Sequence, residues 1–143
     1  MARSSRVIVV ADTGPLYALV DSDDAWHERV VAWWKANRSA VVVPVCVLPE
    51  VCYLLHHRIS PEAEAAFVQS VVNGDFNVEP LESDDLSRAE STMRKYAELE
   101  IGFVDSTVIA TAERLDAVQI LTTDRRHFSV VRPRHTSSFR LLP

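Results

Sequence analysis

Four acidic residues that are far apart in the chain lie where elements of secondary structure are expected to begin or end. They are Asp12, Glu50, Asp105 and Asp124. Asp12 follows the first predicted strand and Asp124 follows the predicted strand 119–123. If the two strands are parallel, both carboxylates emerge at one edge of the sheet, where open α/β sheets bind ligands. Asp105 begins a predicted helix and Glu50 lies early in an apolar one, so both could project toward that edge.

Carboxylates that cluster at such an edge repel one another and raise one another's pKa unless a cation is present. A metal ion resolves this conflict. Oxygen ligands, without His or Cys at zinc-site spacing, suit a hard ion such as Mg²⁺ or Mn²⁺, which accepts phosphate oxygens. The adjacent His56 and His57 point in different directions on a helix and are poor zinc candidates.

Each acid also has an ordinary structural interpretation. Asp12 and Asp105 could be helix N-caps, and Asp124 could form a turn before Arg125. Glu50 is harder to explain in this way, because a carboxylate among apolar residues loses hydration unless a buried arginine or another group compensates it.

The hydrophobic pattern predicts the elements that must position these residues. The β-branched run 6–11 reads as a strand buried on both faces, which implies a parallel sheet. Further strands are expected at 40–43, 76–81, 119–123 and 139–142, and helices at 15–20, 25–37, 44–58, 60–73, 83–99 and 105–116, with Ser60 and Ser83 as caps. The order predicts a three-layer α/β/α sandwich with a central, mostly parallel sheet, in a single domain spanning 1–143.

Composition sets broad limits on what the chain can be. The 143 residues carry 15 Lys+Arg against 20 Asp+Glu, and the hydrophobic fraction of 48% excludes intrinsic disorder. The first apolar stretch is too short for a membrane span or a secretory signal, so we expect no membrane association and a cytoplasmic protein. Residues 125–143 contain five arginines and no acid, which favours a polyanionic ligand or, more simply, a solvated basic loop.

The acids and their neighbours resemble the PIN-domain ribonucleases, and among these the VapC toxins of bacterial toxin–antitoxin pairs. The matching residues are Asp12-Thr13, Glu50, Asp105 with Ile109-Ala110, and the run 121–128, which reads Leu-Thr-Thr-Asp-Arg-Arg-His-Phe. The resemblance covers nearly the whole chain, and its last motif is the most specific. Gly14-Pro15 departs from the usual first motif, which alters the local turn but not the acid.

The resemblance implies a metal-dependent endoribonuclease, a hydrolase of phosphodiester bonds. Asp12 and Asp105 would lie closest to Mg²⁺ or Mn²⁺, Asp124 would be a further direct or water-mediated ligand, and Glu50 would hold water or act as a base. Thr122 lies two positions before Asp124, so on a strand its hydroxyl faces the same side and could orient a metal-bound water.

The same resemblance implies the binding partners. The substrate would be a structured RNA, either transfer or ribosomal, contacted by Thr13, Arg125, Arg126 and His127. A cognate antitoxin protein and a homodimer are also implied, with apolar helices around 26–34 and 67–72 as possible dimer contacts, although core packing is the favoured role for the first of these faces.

Two other classes of protein compete with this interpretation. A receiver-like signalling module also has a parallel sheet and an acidic Mg²⁺ pocket, but it needs paired acids near the first strand and a lysine after a late strand. Here Asp12 has no acidic neighbour, and Lys35 and Lys95 both fall in predicted helices. A non-catalytic scaffold for RNA or protein would not need all four acids.

Overall fold

A five-stranded parallel sheet forms the centre of the protein in a computed structural model that describes residues 7–143. Its strands are β1 Val9–Ala11, β2 Val41–Pro44, β3 Val78–Glu79, β4 Gln119–Leu121 and β5 Arg140–Leu142. They lie in the order β3-β2-β1-β4-β5, and every neighbouring pair is parallel. This confirms the predicted sheet, and it makes β1 the central strand.

Helices flank the sheet as the sandwich architecture requires. They are α1 Thr13–Val20, α2 His27–Asn37, α3 Val47–Arg58, α4 Pro61–Val72, α5 Ser83–Lys95, α6 Phe103–Arg114 and α7 Arg125–Phe128, with short 3₁₀ turns at Arg38–Ala40 and Ala97–Leu99. Among the residues described, no helix combines the length and the apolar character needed to span a membrane.

The central strand β1 is buried on both faces, as its unbroken apolar sequence predicts. Val10, Val43 and Ile120 are each completely buried, and they belong to three adjacent strands. The register pairs Ala11 with Leu121, so β1 and β4 end side by side. The residue that follows each strand therefore emerges at the same edge of the sheet.

Several predicted element boundaries are wrong. The strand expected at 76–81 is reduced to Val78–Glu79, and the helix expected at 83–99 ends at Lys95. The first strand begins at Val9, while the first residue predicted for it, Arg6, lies outside the described residues. Helix α6 begins at Phe103, so Asp105 lies within its first turn rather than at its start.

The two predicted helix caps have different outcomes. Ser60 caps α4, with its hydroxyl accepting a hydrogen bond from the Ala63 backbone at 3.1 Å. The cap of α5 is Glu82 rather than Ser83, and Asp85 completes a capping box by accepting the Glu82 backbone N–H at 3.0 Å. An acid can take the place of serine here because either side chain offers an oxygen to free helix amides.

Candidate active site

Asp12 lies at the centre of the carboxyl edge of the sheet, immediately after β1. Its backbone N–H donates to the Leu121 carbonyl at 2.9 Å, which extends the pairing of β1 with β4 by one residue. Its side chain is 5% exposed and makes no capping hydrogen bond to α1. Asp12 therefore occupies the N-cap position of α1 as expected, but its side chain does not accept the expected amide hydrogen bond, so capping does not explain the burial of this carboxylate.

The environment of Asp12 opposes a negative charge. The pKa of Asp12 is raised from 3.8 to about 7, mainly by burial and next by the nearby Asp105 carboxylate, while hydrogen bonds from the Thr13 backbone and the Thr122 side chain act in the opposite direction. A positive charge at this edge would reverse the balance and favour the ionised form.

Thr122 connects the two acids that follow β1 and β4. Its hydroxyl donates to Asp12 Oδ2 at 3.0 Å and accepts the backbone N–H of Asp124 at 3.0 Å. The side chain is completely buried, so these hydrogen bonds are shielded from water. Thr122 thus fixes the position of Asp12 relative to the backbone of Asp124.

Asp124 and Asp105 meet around His127. Asp124 caps α7 by accepting the Arg126 backbone N–H on Oδ1 at 3.2 Å, so the turn-forming interpretation holds for that oxygen. His127 Nδ1 lies 3.3 Å from Asp105 Oδ2 and 3.6 Å from Asp124 Oδ2. Burial raises the pKa of Asp105, and His127 counteracts this effect. Asp105 is not the N-cap of its helix, since that position belongs to Gly102.

His127 is the group whose placement differs most from expectation. Sequence reasoning placed it with Arg125 and Arg126 as a phosphate contact, but its side chain is only 15% exposed and faces the two carboxylates. The signal was its position three residues after Asp124, because i and i+3 side chains share one face of a helix. The short helix α7 has no apolar periodicity, so this spacing could not be recognised as helical.

Glu50 lies at the rim of the acidic cluster. It occupies the first turn of α3 and is exposed, so the argument that apolar neighbours remove its hydration is wrong. The buried stripe of that helix is formed by Val47, Val51 and Leu55, and Glu50 lies off it. No arginine compensates Glu50 within the described residues; instead the Thr13 hydroxyl donates to its Oε1 at 2.7 Å.

The two predicted phosphate-binding arginines have different environments. Arg125 donates from Nη2 to the Pro143 carbonyl at 2.7 Å, and its guanidinium lies 5.7 Å from the centre of the Trp26 ring. Arg126 is exposed beside the cluster, and its backbone N–H rather than its guanidinium bonds to Asp124. Arg125 therefore also anchors the chain terminus, whereas the side chain of Arg126 extends into solvent.

Gly14 is required by a close approach that sequence reasoning did not foresee. A Cβ atom at position 14 would lie 2.1 Å from Oγ1 of Thr123, well inside van der Waals contact. The first turn of α1 thus packs directly against the connection between β4 and α7. This contact gives a physical reason for the glycine in the first motif.

The donor atoms around His127 fit a divalent cation. Asp105, Asp124 and His127 each offer one ligand atom, and these atoms all lie within 4.8 Å of one another. Opposite ligands of an octahedral Mg²⁺ are separated by roughly 4 Å, so this spacing suits a small ion. Asp12 is not one of these three residues, but it is buried close enough to Asp105 for the Asp105 carboxylate to raise its pKa.

Comparison with known proteins agrees with this arrangement. A model of the PIN domain matches residues 9–132, a range that contains all the acids described above. Ribonuclease VapC26 of Mycobacterium tuberculosis is 30% identical over 135 residues, which cover 94% of this chain and 100% of that protein.

Solved structures share the fold. VapC20 of Mycobacterium tuberculosis, a sarcin-ricin loop cleaving toxin, superimposes with a TM-score of 0.77 at 24% identity, over 82% of this chain and 91% of VapC20. The DNA-bound VapBC structure from Salmonella typhimurium gives a TM-score of 0.70 at 16% identity, over 94% of this chain and 96% of the matched chain.

A parallel sheet with acids converging at its carboxyl edge, together with a family match over most of the sequence, defines the class: the chain belongs to the PIN-domain family. Within this family it is VapC-like, as its similarity to VapC26 shows.

Proposed function

We propose that this protein is a metal-dependent endoribonuclease that cleaves structured RNA, either transfer or ribosomal, and that it is the toxin of a toxin–antitoxin pair. The observation that carries the proposal is the convergence of Asp12, Asp105 and Asp124 at one edge of the sheet, where burial disfavours the charged form of the Asp12 carboxylate. The ribonuclease VapC26 and the toxin VapC20 support the same activity class.

The metal would be Mg²⁺ or Mn²⁺, held by Asp105, Asp124 and His127, with Asp12 as a further ligand from the buried side. When bound, such an ion supplies Lewis-acid polarisation of a phosphate and a water of lowered pKa. Thr122 keeps Asp12 oriented toward the cluster by its hydrogen bond. A bound cation also offsets the repulsion between Asp12 and Asp105 that otherwise raises the pKa of Asp12.

Glu50 is the best-placed group to accept a proton. The Thr13 hydroxyl holds its Oε1 at 2.7 Å, which leaves Oε2 free at the exposed rim of the cluster. We assign Glu50 the removal of a proton from the attacking water. In this assignment Thr13 positions Glu50, while the side chains of Arg125 and Arg126 contact RNA phosphates next to the cluster.

The deciding experiment is RNA cleavage by the purified protein in Mg²⁺ or Mn²⁺. We expect cleavage by the wild type, its loss in Asp12→Asn and Asp105→Asn, and its loss when a chelator removes the metal. Asp75→Asn is a matched control, because Asp75 is an exposed acid outside the cluster and should retain full activity. Circular dichroism should show the same fold for all variants, and equal cleavage by wild type and cluster variants would refute the proposal.

A further inference from the structure

A cleft of about 490 Å³ lies between α5, α6 and the segment 131–134, apart from the acidic cluster. Its lining includes four cationic side chains, Arg88, Lys95, Arg132 and Arg134, but only one carboxylate, that of Glu113. The whole chain has a formal net charge of −5, so this local excess of positive charge opposes the overall balance.

The single carboxylate in the cleft is already fully engaged. Arg88 donates to both oxygens of Glu113, with Nη2 at 3.1 and 3.0 Å, and the Arg134 backbone N–H donates to Oε2 at 2.7 Å. This arrangement leaves three lining cations, the side chains of Lys95, Arg132 and Arg134. Within residues 7–143 none of the three forms an ion pair, and all three are exposed.

Tyr96 adds a hydrogen-bond donor and an aromatic surface to the same cleft. Its hydroxyl oxygen accepts the Arg132 backbone N–H at 2.9 Å, so the hydroxyl proton can be donated to another acceptor. Lys95 Nζ lies 5.3 Å from the centre of the Tyr96 ring. Unpaired cations beside an aromatic ring are the combination by which proteins follow a single-stranded nucleic acid backbone.

Helix α6 carries residues of both the acidic cluster and the cleft. Asp105, Ile109 and Glu113 are spaced four residues apart, so they follow one face of the helix, and the last two line the cleft. At about 1.5 Å of rise per residue, Ile109 lies roughly 6 Å and Glu113 roughly 12 Å along the helix from Asp105. At a spacing of about 3.4 Å per nucleotide, roughly two to four nucleotides would bridge this distance.

We infer that this cleft binds the sugar–phosphate backbone of the RNA strand that extends away from the acidic cluster, with Lys95, Arg132 and the hydroxyl of Tyr96 as phosphate contacts. The inference rests on the proposed ribonuclease function and adds a second contact region to it. Because the contacts are to the backbone, they contribute affinity without base specificity.

The test is RNA binding by the Lys95→Ala/Arg132→Ala double variant of the full chain. The probe is a fluorescein-labelled, mixed-sequence RNA of twelve nucleotides, with binding followed by fluorescence anisotropy in the presence of a chelator at several KCl concentrations. Arg94→Ala is the matched control, since Arg94 is the neighbour of Lys95 on α5, carries the same charge and does not line the cleft. Replacement of Arg132 by alanine retains its backbone hydrogen bond to Tyr96.

For two lost phosphate contacts, we expect the affinity of the double variant to fall about 10- to 30-fold near 0.1 M salt, and its slope of log K against log salt to fall by about 1.4. Arg94→Ala should bind like the wild type. Unchanged binding by the double variant, or an equal loss in Arg94→Ala, would overturn the inference. So would displacement of the RNA by inorganic phosphate beyond the effect of KCl at equal ionic strength, which would indicate a small-anion site.

The binding measurement separates this inference from the proposed activity. If the wild type cleaves RNA, the double variant should raise KM with little change in kcat, because the cleft does not contain the acidic cluster. If the wild type binds RNA through the cleft but never cleaves it, the proposed nuclease function fails while the cleft inference stands. If the wild type cleaves RNA and the double variant binds RNA as tightly as the wild type does, the cleft inference fails while the proposed nuclease function stands.

Discussion

The carboxyl of Asp12 occupies a position that opposes its own ionisation, and this has a consequence for stability. Its pKa of 3.8 rises to about 7 in the folded protein, so the folded chain holds the proton more tightly than the unfolded chain does. In metal-free protein the ionised group therefore opposes folding by up to about 4 kcal/mol above pH 7. This cost declines as the pH falls from 7 toward 4.

Asp12→Asn isolates this contribution. We expect the metal-free variant to have a higher free energy of unfolding than the wild type at pH 8, and we expect the difference to shrink by about half or more at pH 5. Urea unfolding followed by tryptophan fluorescence, with a chelator present, measures both values. The other titrating groups of the cluster occur in both proteins and serve as the internal control. If the free energies of unfolding of the two proteins change in parallel with pH, Asp12 is not a buried ionisable group.

The sequence predicts which acids form the cluster, but it does not predict the hydrogen bonds that position them. Asp12 directly follows β1 and Asp124 lies three residues after β4, and the parallel register of β1 with β4 brings the ends of those strands together. The sequence could not show that Thr13 holds Glu50, because these residues are 37 positions apart and only α1 packing against α3 brings them into contact.

At the scale of elements, the contact of Gly14 with Thr123 joins the start of α1 to the end of the β4 region. Gly14→Ala would place a methyl group 2.1 Å from Thr123 Oγ1, so the threonine must rotate or the helix must shift. We expect a loss of about 1–3 kcal/mol of folding free energy, as is usual for overpacking. Chemical denaturation measures this loss.

A double-mutant cycle tests whether this contact is responsible. In a Thr123→Ala background the obstructing hydroxyl is absent, so Gly14→Ala should cost much less. An equal cost in both backgrounds would assign the effect to the glycine backbone rather than to the packing of α1 against the β4–α7 connection.

A second link between elements runs from α6 to α5 and β3 through Arg114. Its Nε donates to Asp85 Oδ1 at 3.0 Å and its Nη1 to Glu79 Oε2 at 2.9 Å, and the Asp85 side chain is only 3% exposed. Arg114→Met would leave a buried carboxylate without its charge partner, which costs about 3–5 kcal/mol. Thermal and urea unfolding should show a large loss of stability for this variant.

A surface ion pair gives the matched control for Arg114. Arg94 and Glu90 are separated by 3.8 Å on α5, and both side chains are largely exposed. Arg94→Met should therefore leave the unfolding transition almost unchanged, because solvent screens such pairs. Similar losses in both variants would mean that the Arg114 network contributes no more than surface charge.

Element order was more predictable than element ends. Apolar runs such as 7–11 and the proline-led helix at 61 identify elements by pattern, but the ends of elements depend on side-chain hydrogen bonds that hydrophobic periodicity does not reveal. The capping of α5 by Glu82 and Asp85 and the four-residue helix α7 are examples, since both depend on local hydrogen bonds rather than on burial.

At the scale of the whole molecule, we propose that the chain folds as one domain and functions as a homodimer. A cluster of buried apolar residues extends from Val9 to Phe139 and includes every strand except β3 and β5. On α2, Trp33 and Trp34 pack against this cluster, which favours the core role over a dimer contact for that face. On α4, Val68 and Val72 are 44% and 79% exposed and remain available for the dimer.

The proposed antitoxin leads to a prediction about the surface next to the acidic cluster. Several structures that share this fold are VapBC complexes, such as those from Salmonella typhimurium and Rickettsia felis. Pro49, Tyr53 and Leu54 form a largely apolar pocket of about 450 Å³ beside Glu50, and Tyr53 is 63% exposed. A partner seated there would cover apolar surface and also approach the clustered carboxylates.

Tyr53→Ser should therefore weaken the antitoxin complex while ribonuclease activity persists, because Tyr53 touches none of the clustered acids in the hydrogen bonds described. The measurement is co-expression with a candidate antitoxin, followed by size-exclusion chromatography with light scattering, which also reports whether two copies of the chain are present. Leu86→Ser on α5 is the control, since Leu86 is an exposed apolar residue at 47% and lies outside the pocket. Loss of the complex in Leu86→Ser but not in Tyr53→Ser would contradict a docking site beside Glu50 and place the antitoxin on the exposed face of α5 instead.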